Sequence, residues 1–585
     1  MFNLASVLRP RIGLLCAIPA ILAGCSSETP LPEPSKSEQR IIPEVARDIP
    51  IDRLREMSRE VRRESGVKFS EFPSSQLPGF TYLNGSRGDR LMVEATGGGC
   101  GWLDFDRDGL WDLYFVQGGT PNELPSDVSP SDSLWRQRSG PFLEVTTKAG
   151  IVETGYSQGV SVGDFNNDGF DDIFVANVGR NTLLRNAGDG TFEALDDWGG
   201  EQSHLWSTSS AWADVDVDGD LDLYICNYCD FDPFQPQICR SASGEVIQCE
   251  PNQVAPVPDE VYLNDGDGRF SEVAGRIGIT GPDNRSLGVV VGDFRNDFVP
   301  EIYVANDPTA NFLFVRDSSG KYIDNGTRLG CAVDANGFGQ ASMGVAAGDY
   351  NRDGMLDLYV THFEGEWNTF YENVGEFGFR DITADLNAVQ STLPWVGFGV
   401  IMEDFDQDGS DEVFVTNGHL DDRGRKNVLE MPPLLLTFDG AVWDDVSSSA
   451  GDYFLSQYVG RGCSQGDLDG DGDFDVVVVH QNEPAAILLN ESRRGHWLSL
   501  ELIGCKSNRH GIGARIEVRQ GEKHLVQQLV GGGSYCSSRQ PRLIFGLGND
   551  TSPCNIMVRW PDGSQQKELK EIAVDQHLVI REGLQ

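Results

Sequence analysis

Seven times along this chain an apolar run enters an acidic loop of the form DxDxDGxxD and a second apolar run leaves it. The loops begin at Asp104, Asp164, Asp214, Asp293, Asp349, Asp404 and Asp467, at intervals of 50 to 79 residues. A unit recurring at this length must bury its apolar faces against its own neighbours. The flanks of the second loop, GVSVGDF and DDIFVAN, are small, apolar and β-branched, which is strand chemistry. Each loop is followed by a further run and a turn, as in LLRNAGDGTF from Leu183, VYLNDGDGRF from Val261 and FLFVRDSSGKY from Phe312. Turns of this kind join antiparallel strands. The unit therefore reads strand, loop, strand, strand, turn, strand. Seven such units predict an all-β fold, a seven-bladed β-propeller over residues 66–490.

Six loops place carboxylates or Asn at positions 1, 3, 5 and 9 and Gly at position 6. A hard cation such as Ca²⁺ takes about six to eight oxygens, and Gly permits the sharp turn that aims alternate side chains inward. Position 7 adds a backbone carbonyl. The expected ligand sets are Asp104, Asp106, Asp108, Leu110 and Asp112; Asp164, Asn166, Asp168, Phe170 and Asp172; Asp214, Asp216, Asp218, Asp220 and Asp222. In the second half of the chain they are Asp349, Asn351, Asp353, Met355 and Asp357; Asp404, Asp406, Asp408, Ser410 and Glu412; Asp467, Asp469, Asp471, Asp473 and Asp475. About six structural Ca²⁺ ions are thus expected. The fourth loop departs from the pattern, with Arg295 at position 3, Phe298 at the Gly position and Glu301 at position 9. An Arg can pair with carboxylates that would otherwise repel, and Phe resists positive φ, so no ion is expected there.

The paired GDF or LDFD and DGxxD signatures resemble the FG-GAP repeats of integrin α-subunit propellers and their bacterial relatives. Residues 491–585 carry a separate resemblance: NRHGIGARIEV from Asn508, LVGGGSYCSSRQPRLIFGLG from Leu529 and VRWPDGS from Val558 are similar to the ASPIC/UnbV domain. Together the two halves resemble bacterial homologues of the cartilage acidic protein family, which implies an architecture more than an activity. Alternation of apolar and polar residues through Ile512–Val518, Leu543–Phe545 and Ile556–Trp560 predicts a small β-sandwich-like domain of six or seven strands. Its GGGSY and GLG segments read as structural turns.

At the N-terminus, Arg9 and Arg11 precede an apolar stretch from Ile12 to Ala23 that is too short to span a bilayer. Leu22, Ala23, Gly24 and Cys25 resemble a bacterial lipobox, so residues 1–24 are expected to be a lipoprotein signal peptide and Cys25 the lipidated residue. The alternative is an ordinary signal peptide cut near Gly24. Residues 25–65, rich in Ser, Pro and Glu at their start, read as a tether. The chain is then expected to be exported and membrane-anchored, periplasmic or at the cell surface. Cysteine usage agrees with an oxidising compartment: Cys226, Cys229, Cys239 and Cys249 cluster in the expanded third repeat and are candidate disulfide partners, with a zinc site as the alternative. Cys100 and Cys463 each lie four residues before a loop, in the first and last repeats, where they form either a cross-blade bridge or two buried thiols. The seventh repeat lacks a final strand of its own. Residues near Val67–Phe69 are expected to complete it and close the ring.

A net charge of −44 excludes a general nucleic-acid backbone binder. In the six intact loops, 22 carboxylates occupy ligand positions. Gly159–Gly163 spells GxSxG, yet Ser161 aligns with Val290 and Ala346 on strands that enter loops, and is not expected to be a nucleophile. His362 and His419 follow equivalent strands and are expected to be exposed. Trp102, Trp111 and Trp212 should pack between blades. No catalytic residues and no further cofactor are identified. The expected function is a calcium-binding interaction or adhesion module for an extracellular protein or glycan, and the alternative is an exported enzyme acting on polysaccharide at a propeller face.

Overall fold

A computed structural model of the chain describes residues 66–585 other than 74, 77–78, 122–129, 201–204, 267, 282–283, 422–428, 566–567 and 584–585. The expected signal peptide, Cys25 and the tether lie outside the described residues. No helix among the described residues is long and apolar enough to cross a membrane.

Seven antiparallel sheets, each with four strands from the repeats, follow one another along the chain. The second is representative: Ser157–Gly163, Asp172–Asn177, Thr182–Asn186 and Phe192–Ala194 pair in sequence order. The first strand of each sheet packs on the first strand of the next, and that of the seventh (Gly460–Gly466) packs on that of the first (Cys100–Leu103). The sheets therefore form a closed propeller-like ring. Because each second strand is flanked by sheets on both sides, it is apolar on both faces, as in Ile173, Phe174, Val175 and Ala176, all fully buried. Trp102 and Trp212 are buried in these seams and Trp111 packs partly against one. The seventh sheet is completed from the start of the fold: Phe69–Glu71 pairs antiparallel with Leu488–Asn490. Phe69 anchors this closure, with its ring 5.2 Å from Phe405 and 6.0 Å from Phe454.

The C-terminal domain packs two sheets around one core. His496–Ile503 lies between Arg542–Gly548 and a parallel Gln576–Arg581, while Arg515–Gln520 lies between Lys523–Gln528 and Cys554–Arg559, with Leu569–Ile572 outermost. These are seven strands, as the alternation predicts. The GGGSY segment is structural, and it is more than a turn. Together with the residues that follow it as far as Ser538, it runs down the axis of the ring and bonds to the free inner edge of all seven sheets.

Gly531 and Gly532 pair with Val291 and Val290 of the fourth sheet, and Ser534 exchanges two backbone bonds with Val345 of the fifth, at 2.6 and 3.1 Å. The Ser534 hydroxyl donates to the Cys463 carbonyl of the seventh sheet at 2.7 Å and accepts from the Val400 amide of the sixth at 3.2 Å. Cys536 accepts from the Val160 amide of the second sheet at 3.0 Å and donates its amide to Ser209 Oγ of the third at 2.9 Å. Ser538 pairs with the first, where its amide donates to the Cys100 carbonyl at 2.9 Å. Only small residues allow this approach: a Cβ at Gly531 would meet the Trp212 carbonyl at 2.2 Å.

The cysteine assignment requires correction. Among the described residues one disulfide is present, Cys239–Cys249, which staples the insert of the third repeat. Cys226 and Cys229 are free and buried, because both lie within the strand Asp222–Asp230 and not in the insert. Residues three apart on a strand face opposite sides, and these two thiols enter different core clusters. Cys100 and Cys463 are also free, buried thiols.

Candidate metal loops

Each acidic loop hangs between the first and second strands of its sheet, and its backbone is organised by its own first carboxylate. In the first loop the amides of Asp108 and Gly109 donate to Asp104 Oδ1 and Oδ2, both at 3.0 Å. The same pair of bonds recurs on Asp164, Asp214, Asp349 and Asp404. Positive φ at positions 4 and 6 makes this wrap possible, for example 56° at Arg107 and 84° at Gly109. The position 9 carboxylate also braces the fold, since Asp112, Asp172, Asp222, Asp357 and Asp475 each accept a main-chain amide from the third strand.

Four loops bring three carboxylates together with ligand atoms within 4.8 Å of one another: Asp104, Asp106 and Asp108; Asp214, Asp216 and Asp218; Asp404, Asp406 and Glu412; Asp467, Asp469 and Asp471. Loops two and five have Asn at position 3, and there Asn166 and Asn351 donate to Asp168 and Asp353. Burial, opposed by main-chain bonds and reinforced by neighbouring carboxylates, pushes Asp112 up to about 9 and Asp222 to about 8. Burial likewise raises Asp104, Asp164, Asp214 and Asp349 to about 6. Several carboxylate oxygens are buried with no hydrogen-bond partner among the described residues: Oδ1 of Asp106, Asp216 and Asp406, and Oδ2 of Asp112 and Asp357. Crowded, desolvated acceptors without donors fit a bound cation. These clusters could hold metal ions, with the carboxylates named above and the position 7 carbonyls of Leu110, Phe170, Asp220, Met355, Ser410 and Asp473 as oxygen donors. A cation there would neutralise the mutual repulsion and fix the loop.

The fourth loop has the same backbone but different electrostatics. Arg295 Nε donates to Glu301 Oε1 at 2.6 Å, and its Nη2 lies 2.9 Å from Asp297. The expectation that Phe298 would resist the turn is overturned, for it adopts φ 64°. Two amide bonds to Asp293, at 2.9 and 2.8 Å, hold this path. Arginines also reach intact loops: Arg136 lies 2.6 Å from Asp106, Arg352 lies 3.5 Å from Asp408, and Arg494 lies 2.7 Å from Asp473.

Two features escape the sequence reading. First, the Asn ending the third strand links adjacent loops: Nδ2 of Asn186, Asn264, Asn373 and Asn490 donates to the carbonyl of Phe105, Phe165, Phe294 and Phe405 in the preceding repeat's loop, at 2.7 to 2.9 Å. The runs ending in Asn signal this without naming the partner. Second, the C-terminal domain sits on the loops. The Arg509 amide donates to Asn167 at 2.9 Å, Arg515 to Asn296 at 2.5 Å, and the Gly548 amide to the Gln407 carbonyl at 2.9 Å. Ser161 lies on an inner strand, accepting from Ser210 Oγ at 2.9 Å, so its GxSxG is no nucleophile elbow. His362 and His419 are both buried, contrary to expectation, because the strand exits they occupy are covered; His419 Nε2 is 3.2 Å from Glu364.

An ASPIC and UnbV family model matches residues 504–585, and an FG-GAP-like repeat model matches residues 104–175, 164–225 and 349–415. Cartilage acidic protein 1 of Xenopus tropicalis is 25% identical over 494 residues, covering 79% of this chain and 69% of the relative. The Mus musculus protein of the same name is 25% identical over 485 residues, covering 79% and 70%. Among solved structures, an Agrocybe aegerita lectin that recognises non-reducing terminal N-acetylglucosamine is similar at a TM-score of 0.37 and 15% identity, covering 66% of this chain and 86% of the lectin. The BP39L lectin of Burkholderia pseudomallei is similar at 0.39 and 10%, covering 68% and 96%. The chain joins FG-GAP-like repeats to an ASPIC/UnbV domain and is homologous to cartilage acidic protein 1.

Proposed function

We propose that the protein is a calcium-stabilised interaction module that works outside the cytoplasm, tethered to a membrane through Cys25 and binding an extracellular protein or glycan. The contrast between loops carries the calcium reading: four of the six intact loops bring three carboxylates within 4.8 Å of one another, and several of the six hold buried oxygens with no hydrogen-bond partner among the described residues, whereas the fourth loop supplies its own Arg295 at position 3. Extracellular calcium modules bind with dissociation constants of about 10⁻⁴ to 10⁻³ M, so the sites would fill outside a cell and not inside it. With free ion at ten times the dissociation constant, each site adds about 1.4 kcal/mol. Because the C-terminal domain rests on these loops, calcium would also set how the two halves fit. Chelation should lower the melting temperature, and Ca²⁺ in preference to Mg²⁺ should restore it; an unchanged melting temperature would defeat the calcium reading. Glycan-array and pull-down screens with and without Ca²⁺ test the interaction role, and mass analysis of the processed N-terminus tests the lipid.

The second reading, an exported enzyme, has one observation in its favour: His419 with Glu364, and Tyr228 with Asp307, lie at the ring's open end. Hydrolysis of a polysaccharide panel that is lost in His419→Ala would select it.

A further inference from the structure

The inner strands run from one end of the ring to the acidic loops, so the residues that begin them, and those that follow the second strands, share the end remote from the C-terminal domain. At that end lies a cavity of about 540 Å³, within the range of about 300–1,000 Å³ that suits a small ligand. Leu287, Met343 and Phe398 enter it from inner strands or their approaches, Phe363 and Leu420 from second-strand exits, and Met92 from the turn before the first sheet. The insert of the third repeat forms one wall through Ile247 to Asn252, held in place by the Cys239–Cys249 bridge. Tyr228 is packed against Trp206 at 4.5 Å between ring centroids. The walls are therefore built from fixed elements.

The charges in this lining are one-sided. Glu250, Asp307 and Asp421 contribute carboxylates, and no Lys or Arg among the described residues lines the cavity. Arg90 pairs with Asp421, Arg285 acts on Asp307, and Arg461 lies over the Phe398 ring at 4.1 Å, all from outside the lining. Asp307 is the most telling member. It is 8% exposed, its Oδ2 accepts from Tyr228 Oη at 2.7 Å, and its Oδ1 is buried with no hydrogen-bond partner among the described residues. A carboxylate in an apolar wall with an unused acceptor favours a positive donor. Tyr228 and Phe363 add aromatic rings able to receive a cation, whereas the Phe398 ring already carries the Arg461 guanidinium at 4.1 Å.

We propose that this cavity is a binding site for a small organic cation, an amine carried on an apolar or aromatic body, with Asp307 as its charge partner. The apolar body fills the methionine and phenylalanine walls, and the ammonium group replaces the missing donor at Asp307. The site is separate from the acidic loops and stands or falls apart from the calcium reading. Calorimetric titration of the full chain in Ca²⁺ with phenethylamine, phenethyl alcohol and 3-phenylpropionate compares one body with three head groups. Phenethylamine should bind, with the alcohol and the acid at least about tenfold weaker. Asp307→Asn should cost phenethylamine about tenfold or more and leave the alcohol unchanged. Met343→Trp, which fills the cavity and keeps its charges, should abolish binding of all three while the melting temperature confirms folding. Should Asp307→Asn not fold, Glu250→Gln and Met343→Trp decide the matter, the first weakening the amine alone. No binding of phenethylamine below about 10 mM, equal binding of the acid, or wild-type affinity in the folded variants would each overturn the proposal.

Discussion

Ser534→Ala is the sharpest probe of the axial segment, because one hydroxyl there joins two sheets. Its Oγ donates to the Cys463 carbonyl at 2.7 Å and accepts from the Val400 amide at 3.2 Å, while its backbone pairs with Val345. Alanine removes the hydroxyl without adding bulk, and leaves a buried carbonyl and a buried amide without that partner. Each such loss costs about 1–3 kcal/mol, so the variant should lose about 2–6 kcal/mol. The exposed Ser243, which only meets Ser241 and Glu245, provides a control expected to change stability by less than about 0.5 kcal/mol on replacement by Ala. Urea unfolding followed by tryptophan fluorescence and by far-ultraviolet circular dichroism measures both variants. Since the segment bonds to every sheet, ring and C-terminal domain should unfold in one transition, with coincident curves from the two probes. A loss below about 0.5 kcal/mol in Ser534→Ala would show that the segment does not occupy the axis in solution, and so would two separated transitions in the parent.

The seam is tested by Phe69→Ala, which empties the packing against Phe405, Phe414 and Phe454 and should cost about 3–5 kcal/mol in denaturant unfolding. A loss under about 1 kcal/mol would mean the ring closes elsewhere. In the fourth loop, Arg295→Ala strips the fully buried Glu301 side chain of its ion pair. Partial exposure of Arg295 reduces the cost to about 2–3 kcal/mol from the larger penalty of a fully buried pair. The stabilisation gained from Ca²⁺ should not change, and a variant that gained a calcium response would contradict the assignment. His480 gives a pH signature. Burial pushes its imidazole down to about 4, while the unfolded value is 6.5. Between those values the unfolded chain holds the extra proton, so this residue's contribution is complete above pH 6.5 and is lost as pH falls towards 4. The loss should reach about 3 kcal/mol, and the stability difference between wild type and His480→Phe should vary with pH by that amount. A constant difference would refute the buried neutral imidazole.

What could be read from the sequence was local, and what could not was the partner across the ring. Nine residues contain every element that shapes an acidic loop: the carboxylate that gathers the amides, the Gly that turns, and the position 9 side chain that reaches the third strand. The Asn that ends that strand was visible in four of the runs, yet Asn186 binds Phe105, 81 residues away, and nothing near it indicates the acceptor. Cys226 and Cys229 were open to a better reading, since a spacing of three within DLYICNYCD places them on opposite faces of one strand. Phe298 fails for a different reason. Steric preference counts only the residue, whereas the amides of that loop are fixed on Asp293, and the Phe298 ring is covered by Arg559 and Gly563 of the C-terminal domain. Contacts made elsewhere offset the strain.

The axial segment shows the same limit with a functional consequence. Gly, Ser and Cys in GGGSYCSS look like a loop because, on a surface, small residues serve turns. Inside a ring whose inner strands leave one edge unpaired, the same residues are what lets a backbone come close enough to bond with every sheet. Gly99 states the constraint from the other side: a Cβ there would lie 1.9 Å from the Cys536 carbonyl. The segment's partners span residues 96 to 467, so no local pattern could identify it. Its presence divides the ring. The loop end is covered by the C-terminal domain, the axis is filled with main chain, and Tyr535 joins the apolar cluster that underlies the opposite mouth. A ligand that passed through the ring would have to break bonds to seven sheets, so a ligand held within the ring would be confined to the end lined by the Cys239–Cys249 insert. Variation in that insert would then reshape this end of the ring without disturbing the acidic loops, which lie at the other end of the same strands.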